Sequence, residues 1–157
     1  PSGIKLKLNA ITNFKMIEKL YEASCEGVPI RMIIRGICCL IPGVIGMSEN
    51  IEVISIVDKY LEHPRVYIFE NGGAPNVYLS SADFMTRNIE NRVEVAVPIY
   101  NDILQKEILD VFEISWNDNV KARKINGSEQ NIFVKNSRNE IRSQWKIHEY
   151  YYEKSCS

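Results

Sequence analysis

Histidine is scarce in this chain: of 157 residues, only His63 and His148 are histidines, and they lie far apart. Four cysteines are present, and the adjacent pair Cys38-Cys39 fits neither a zinc-binding spacing nor a disulfide framework. Two distant histidines and scattered cysteines exclude a zinc centre. We therefore expect no metal site built from this chain, and a reducing, cytoplasmic environment.

Net charge is also nearly absent, with a formal value of -1. No global field recruits nucleic acid, so we expect no nucleic-acid partner, and any anion site must be a local cluster of cations. No apolar run approaches the roughly 20 residues of a membrane helix, and no secretory signal is present. The sequence predicts a cytoplasmic domain, with peripheral attachment to a membrane as an alternative.

The residues that are present suit one domain with a single sizeable core, since 45% are hydrophobic. Residues 4–9 alternate strictly, which predicts a strand. Apolar residues at helical spacing follow, with Thr12 or Asn13 as the cap and Gly27 as the stop. The apolar run at 30–34 predicts the next strand, which makes a βαβ unit with a parallel strand pair.

The rest of the chain alternates between predicted strands and helices. Strands are predicted at 51–57, 66–69, 77–79 and 92–99, a short helical turn at 58–62, a hairpin at 71–73, and helices at 102–116 and 139–153. The long helix should turn Ile103, Ile108, Leu109 and Phe112 inward. These elements predict an α/β fold with a mixed, mainly parallel sheet and flanking helices. Because a strand begins almost at once, we expect a piece of a longer protein.

Arg35 is a candidate phosphate-binding residue. It follows the second strand of the βαβ unit and precedes Gly36, and ligands gather beyond the carboxyl ends of parallel strands. A planar guanidinium group matches phosphate oxygens two at a time. A surface arginine or half of a salt bridge is the structural alternative.

His63 and Arg65 form a second candidate site before the strand at 66–69. Alternation places both side chains on one face. A histidine there can bind a phosphate or move a proton near neutral pH, although a hydrogen-bonded structural histidine is the more common case.

Further polar residues fit the same pocket less specifically. Ser81 and Asp83 end a predicted strand, and Arg92 opens another. Hydroxyls and loop amides can line an anion pocket, but they also form ordinary turns. Lys5, Lys7 and Asn9 share one face of the first strand, so we expect that face to meet water, a ligand or a missing domain.

Several long motifs resemble one known family. The segments "IRGICCLIPGVIGMSENIEVISIVDKYLEHPRVYIFENGG" and "VYLSSADFMTRNIENRVEVAVPI" closely resemble the C-terminal domain of bacterial polyphosphate kinases of the first type. The opening "IKLKLNAIT" and the later "DNVKAR" look like the same family. The motifs occur in the same order, so the resemblance covers nearly the whole chain.

The resemblance implies a phospholipase D-like fold, with two such domains facing each other across the active site. It implies reversible transfer of the terminal phosphate of ATP to inorganic polyphosphate through a phosphohistidine. That histidine belongs to a preceding domain, which this chain does not contain. Implied partners are ATP, ADP, polyphosphate, the preceding domains and a second copy in a homo-oligomer. Mg²⁺ is implied for the full-length enzyme, with ligands mostly outside this chain.

For individual residues, the resemblance implies that His63 is a second essential histidine. It implies that Arg35 holds nucleotide or chain phosphates and that Arg92 lies near the polyphosphate path. His63-Pro64-Arg65 stands where phospholipases D have histidine-x-lysine, and Ser80-Ser81-Ala82-Asp83 stands at their Gly-Ser-x-Asn. Ser81 and Arg65 are therefore also candidate substrate-binding residues.

Two alternative functions are weighed against the kinase. One is a phosphodiesterase of the phospholipase D type with His63 as nucleophile, which needs a second histidine motif from a symmetric dimer. The other is a non-catalytic module whose basic residues only bind polyphosphate.

Overall fold

The computed structural model describes residues 2–127, 132–136 and 139–156. Within these ranges seven strands form one sheet in the order β6-β5-β4-β1-β2-β3-β7. The strands are β1 (Ile4–Leu8), β2 (Ile30–Ile34), β3 (Ile51–Ile56), β4 (Val66–Phe69), β5 (Asn76–Ser80), β6 (Ala96–Ile99) and β7 (Ala122–Ile125). The helices are α1 (Phe14–Cys25), α2 (Thr86–Glu90), α3 (Asp102–Trp116) and α4 (Ser143–Ser155), and a 3₁₀ turn spans Asn71–Gly73.

The sheet is mixed, as predicted, but it is not mainly parallel. Strands β1, β2 and β3 pair in parallel, which confirms the βαβ unit, whereas the other four pairings are antiparallel. The short connection between β4 and β5 permits only antiparallel neighbours, since a parallel pair requires a long crossover. The prediction of a mainly parallel sheet is therefore wrong, because the parallel pairing of the βαβ unit does not continue into the later strands.

Apolar side chains cover both faces of the central strands. On one face, Leu6, Leu8 and Met32 pack with Ile17 and Leu20 of α1. The opposite face carries Ile33, Ile54, Ile56, Val66, Ile68 and Val77, which pack with Phe112 of α3. Strands buried on both faces read as near-continuous apolar runs, and β2 and β3 do so.

Several boundaries differ from the sequence prediction. Residues 58–62 form no helical turn, and β6 begins at Ala96, so Arg92 does not open a strand. Ile103, in the first turn of α3, is 70% exposed and does not point inward. Strand β7 and helix α2 were not predicted, since basic and polar residues hide both patterns.

The strand directions place several loops next to one another at the edge of the sheet where the parallel strands end. Strands β1, β2, β3 and β5 end there, and β4, β6 and β7 begin there. The residues next to these strand ends include Asn9, Arg35, Arg65 and Ser81. In the described ranges no helix is long and apolar enough to cross a membrane.

Candidate functional site

Five side chains at this edge form a continuous contact network, which we call the edge cluster: His63, Arg65, Asp83, Asn9 and Arg35. They come from four separate segments of the chain. The edge cluster therefore depends on the sheet order, which places β1 between β2 and β4.

Arg35 is held by the side chain of Asn9. Its Nε and Nη2 donate to Oδ1 of Asn9 over 3.0 and 2.9 Å. The following residue, Gly36, donates its backbone N–H to the Asn9 carbonyl oxygen over 2.8 Å. A Cβ atom at Gly36 would lie 2.9 Å from that oxygen, so only glycine permits this close approach.

Asp83 joins the two arginines. Its Oδ1 accepts the backbone N–H groups of Asn9 and Ala10 over 2.7 and 3.2 Å, and it also accepts Nδ2 of Asn9 over 3.3 Å. Its Oδ2 accepts Nη2 of Arg65 over 2.8 Å. A carboxylate only accepts hydrogen bonds and a guanidinium group only donates them. The Asn9 amide therefore satisfies both neighbours in one orientation, with Nδ2 toward Asp83 and Oδ1 toward Arg35.

The carboxyl group of Asp83 is stabilised in its ionised form. Burial raises its pKa, but the hydrogen bonds from Arg65 and from the backbone amides of Asn9 and Ala10 outweigh burial and hold the pKa below its usual value. Asp83 is 5% exposed. A buried carboxylate therefore lies between the two guanidinium groups at neutral pH and reduces their mutual repulsion.

His63 lies at the exposed end of the edge cluster. Its Nδ1 is 3.1 Å from Nη1 of Arg65, and its Nε2 is 3.4 Å from Nη2 of Arg65. The His63 side chain is exposed, whereas the Arg65 side chain is only 14% exposed. An accessible imidazole thus borders a largely buried guanidinium group, as the alternation of residues 63 and 65 predicts.

Ser81 and Arg92 lie outside the edge cluster. The Ser81 hydroxyl donates to Glu94 and accepts the Val95 N–H over 3.0 Å, so it ties the segment before β6 to the end of β5. Arg92 is exposed, and its field contributes, after hydrogen bonds from Ser81 and Asn88, to a lowered pKa of Glu94. In the described structure both residues therefore act on Glu94, Ser81 through a hydrogen bond and Arg92 through its charge.

Sequence reasoning missed the part played by three residues. Asn9 and Asp83 were noted only as polar positions, and Glu94 was not singled out. Lys7 and Asn9 prove to be buried rather than facing water, because Lys7 pairs with Glu62 and Asn9 with Asp83. A polar residue ending an apolar strand was the available signal at Asn9.

The donor set does not suit a magnesium ion. Asp83 already accepts from Arg65 and from Asn9 and Ala10, so its oxygens face cationic or N–H donors. Across the described residues, no three His, Cys, Asp or Glu side chains come together as metal ligands. The edge cluster itself carries more positive than negative charge, which suits an anion.

The second histidine lies elsewhere. His148 is on α4, exposed, with its ring centroid 6.4 Å from that of Tyr152. A single copy of this chain therefore brings one histidine to the edge of the sheet.

Comparison with known proteins assigns the family. The profile of the family described as polyphosphate kinase C-terminal domain 2 matches residues 1–144. The chain belongs to this family. Polyphosphate kinase of Escherichia coli K12 is 51% identical over 151 residues, which cover 96% of this chain and 22% of that protein. Polyphosphate kinase of Klebsiella pneumoniae is 52% identical over 150 residues, with 95% and 22% covered. The chain thus spans about a fifth of the length of these relatives.

Solved structures agree with this family and with the predicted fold. Polyphosphate kinase from Porphyromonas gingivalis superposes with a TM-score of 0.95 at 44% identity, covering 98% of this chain and 24% of that one. Nuc of Salmonella typhimurium, a phospholipase D family member, gives a TM-score of 0.60 at 20% identity, with 80% and 82% covered. At that identity the likeness shows the fold alone. The prediction of a phospholipase D-like fold is confirmed.

Proposed function

We propose that this chain is the C-terminal catalytic domain of a polyphosphate kinase, which reversibly transfers the terminal phosphate of ATP to inorganic polyphosphate. The observation that carries the proposal is the 51% identity, over nearly the whole chain, to a protein named polyphosphate kinase. The length of the relatives supports the expectation that further domains of the same polypeptide complete the active site.

The edge cluster suits the physical demands of phosphoryl transfer. This reaction requires positioned reactants and neutralised charge more than covalent chemistry from the protein. Only part of the Arg35 donor set is used on Asn9, and its other N–H groups have no partner among the described residues. Arg35 therefore binds phosphate oxygens with its remaining donors, while Asn9 fixes the direction of the guanidinium group.

His63 acts on the departing or attacking oxygen. In the forward direction, the bond between the γ-phosphorus and the bridging oxygen of ATP breaks as a P–N bond forms to a histidine of a preceding domain. That bond then breaks as a terminal oxygen of polyphosphate attacks. The exposed imidazole of His63 stabilises the negative charge on the ADP oxygen by hydrogen bonding or by proton donation.

The remaining partners follow from this assignment. ATP enters with Mg²⁺, whose protein ligands lie mostly outside this chain, since the edge cluster does not fit the ion. Arg92 is assigned to the polyphosphate path, and Ser81 to the binding of ATP or polyphosphate. We place the enzyme in the cytoplasm as a homo-oligomer, with peripheral membrane attachment as the alternative location.

The test is synthesis of polyphosphate by the full-length protein from ATP and Mg²⁺. We expect chains of polyphosphate from the wild type and from His148→Ala, a matched histidine variant outside the edge cluster, and a severe loss from His63→Ala. Rapid hydrolysis of a generic phosphodiester without polyphosphate synthesis would favour a phosphodiesterase. Full synthesis by His63→Ala would instead favour a module that only binds polyphosphate.

A further inference from the structure

The segment that carries His63 has no regular secondary structure. Residues 57–65, which we call the His63 loop, connect β3 to β4. The His63 side chain is exposed, and its hydrogen-bond contacts within the described chain are to Arg65. The position of its imidazole ring therefore depends on Arg65 and on whatever fixes the backbone before it.

One side chain of α4 holds the His63 loop from outside the sheet. Gln144 accepts the backbone N–H of Tyr60 through Oε1 over 3.0 Å. Its Nε2 donates to the Tyr60 carbonyl oxygen over 2.8 Å and to Oε1 of Glu62 over 3.0 Å. The nitrogen and the oxygen of one amide are thus directed at two of the three residues that precede His63, Tyr60 and Glu62.

Glu62 carries this restraint into the core of the sheet. Its other oxygen, Oε2, accepts Nζ of Lys7, a residue of the central strand β1 that is 8% exposed. The residue immediately before His63 is therefore held between α4 and β1. The pair is largely removed from water, with side-chain exposures of 10% for Lys7 and 23% for Glu62, so breaking it would leave a poorly solvated charge without a partner.

The amino end of α4 is itself fixed at the same place. Arg142 donates Nε and Nη2 to the two carboxylate oxygens of Asp58 over 2.8 and 2.6 Å. Asp118, which is fully buried, accepts the Ser143 N–H over 2.7 Å. The two residues before Gln144 are therefore held by contacts with the rest of the domain, so the start of α4 is not a free helix end.

We propose that Gln144 is a positioning residue, which acts through Tyr60 and Glu62 to hold His63 in place for phosphoryl transfer. The proposal rests on the proposed function. It assigns Gln144 no contact with substrate. A displacement of about 1 Å at a reacting group can reduce turnover about 100-fold, so loss of this restraint should appear in kcat.

The first test compares kinetics of full-length variants. We expect Gln144→Ala to lower kcat about 10-fold to 100-fold, with KM for ATP within about twofold of wild type. Gln144→Glu keeps the size but sets a second carboxylate against Glu62 and the Tyr60 carbonyl, and it should lose at least as much. Lys154→Ala, which removes the contact of α4 with Glu107 on α3, is the matched control and should keep wild-type kcat.

A reciprocal exchange separates positioning from a general loss of packing. In Glu62→Gln/Gln144→Glu, the new amide at 62 can donate to the new carboxylate at 144, and the total charge beside Lys7 is unchanged. We expect this double variant to recover kcat at least about fivefold over Gln144→Glu, since paired residues that contact each other are not additive. Glu62→Gln is also measured alone. A double variant whose kcat is no better than the combined losses of Glu62→Gln and Gln144→Glu predict would contradict the proposal.

A readout independent of activity completes the test. The Tyr60 amide donates directly to Gln144, so its hydrogen exchange should be faster in Gln144→Ala and unchanged in Lys154→Ala. Unchanged Tyr60 exchange, or a wild-type kcat in Gln144→Ala, would overturn the inference while wild-type polyphosphate synthesis still supported the proposed function. A wild type that makes no polyphosphate would overturn the proposed function and the catalytic role of Gln144 together.

Discussion

Arg35 donates two of its nitrogens, Nε and Nη2, to the single oxygen Oδ1 of Asn9. The Nδ2 group of the same Asn9 amide points at Asp83. Arg35 is therefore held by the edge of its guanidinium plane that carries Nε and Nη2. The contact with two phosphate oxygens inferred from the sequence stays a prediction, and among the described residues Nε and Nη2 share the one oxygen of Asn9.

Replacing Arg35 by lysine should separate geometry from charge. Arg35→Lys keeps the positive charge but loses the planar group that contacts Asn9 with one edge and can offer its other N–H groups to phosphate oxygens. We expect polyphosphate synthesis by the full-length protein to fall at least about 10-fold, the factor that corresponds to the loss of one charged hydrogen bond. Arg31→Lys at the other end of β2 is the control and should retain activity. A fully active Arg35→Lys enzyme with a normal circular dichroism spectrum would contradict the assignment.

Asp83 should contribute to stability in a pH-dependent way. Its folded-state pKa is lowered, so its contribution is present above the unfolded value of about 3.9 and is lost as pH falls through the lower, folded value. At neutral pH, Asp83→Asn should reduce the free energy of unfolding by about 2 to 3 kcal/mol, because buried Arg65 loses a charged partner.

The measurement is chemical denaturation of wild type and variant between pH 7 and about pH 3, which spans the carboxyl titration. The two stability curves should converge as the pH falls. Asp110→Asn is the control, since Asp110 pairs with the exposed Lys106, and it should change stability less. Curves for Asp83→Asn and wild type that remain parallel would show that the Asp83 carboxylate is not the titrating group.

The fold was largely accessible from the sequence because its central strands carry strong local signals. Strict alternation predicted β1, a cap at Thr12 or Asn13 predicted the start of α1, where Asn13 is the cap, and the helical pattern at 102–116 coincides with α3. Strand β7 was not predicted because its sequence is rich in basic residues. It lies at the edge of the sheet with one face exposed, and such a strand needs few apolar residues. The antiparallel pairings depend on sheet order, which no local pattern encodes.

The candidate site was accessible only in part, for a related reason. Arg35, His63 and Arg65 were predicted from their positions at strand ends, and the structure brings them together. The connection through Asp83 spans about half the chain, and it follows from β4 lying next to β1. Gln144 lies still further along and carries no motif, so only the tertiary structure shows its contacts with the His63 loop.

The domain produced alone should fold but should not become phosphorylated. Both faces of its sheet are covered by packed apolar side chains, which provides a hydrophobic core without other domains. The histidine proposed to carry the phosphate belongs to a preceding domain. We expect a cooperative thermal transition and no transfer of label from γ-labelled ATP in the presence of Mg²⁺. Stoichiometric histidine phosphorylation of the isolated domain would contradict the division of the active site between domains.

The central claim is that His63 acts in the chemical step, and turnover of two His63 variants tests it most directly. Polyphosphate synthesis by full-length His63→Ala and His63→Gln should be measured with a thermal melt of each. If His63 donates a proton, both variants should lose about 100-fold or more in kcat, whereas a hydrogen-bonding role should let glutamine recover much of what alanine loses. Both should melt near the wild-type temperature, because the side chain is exposed. Near-wild-type rates in both variants, or losses that only follow a lowered melting temperature, would contradict the account.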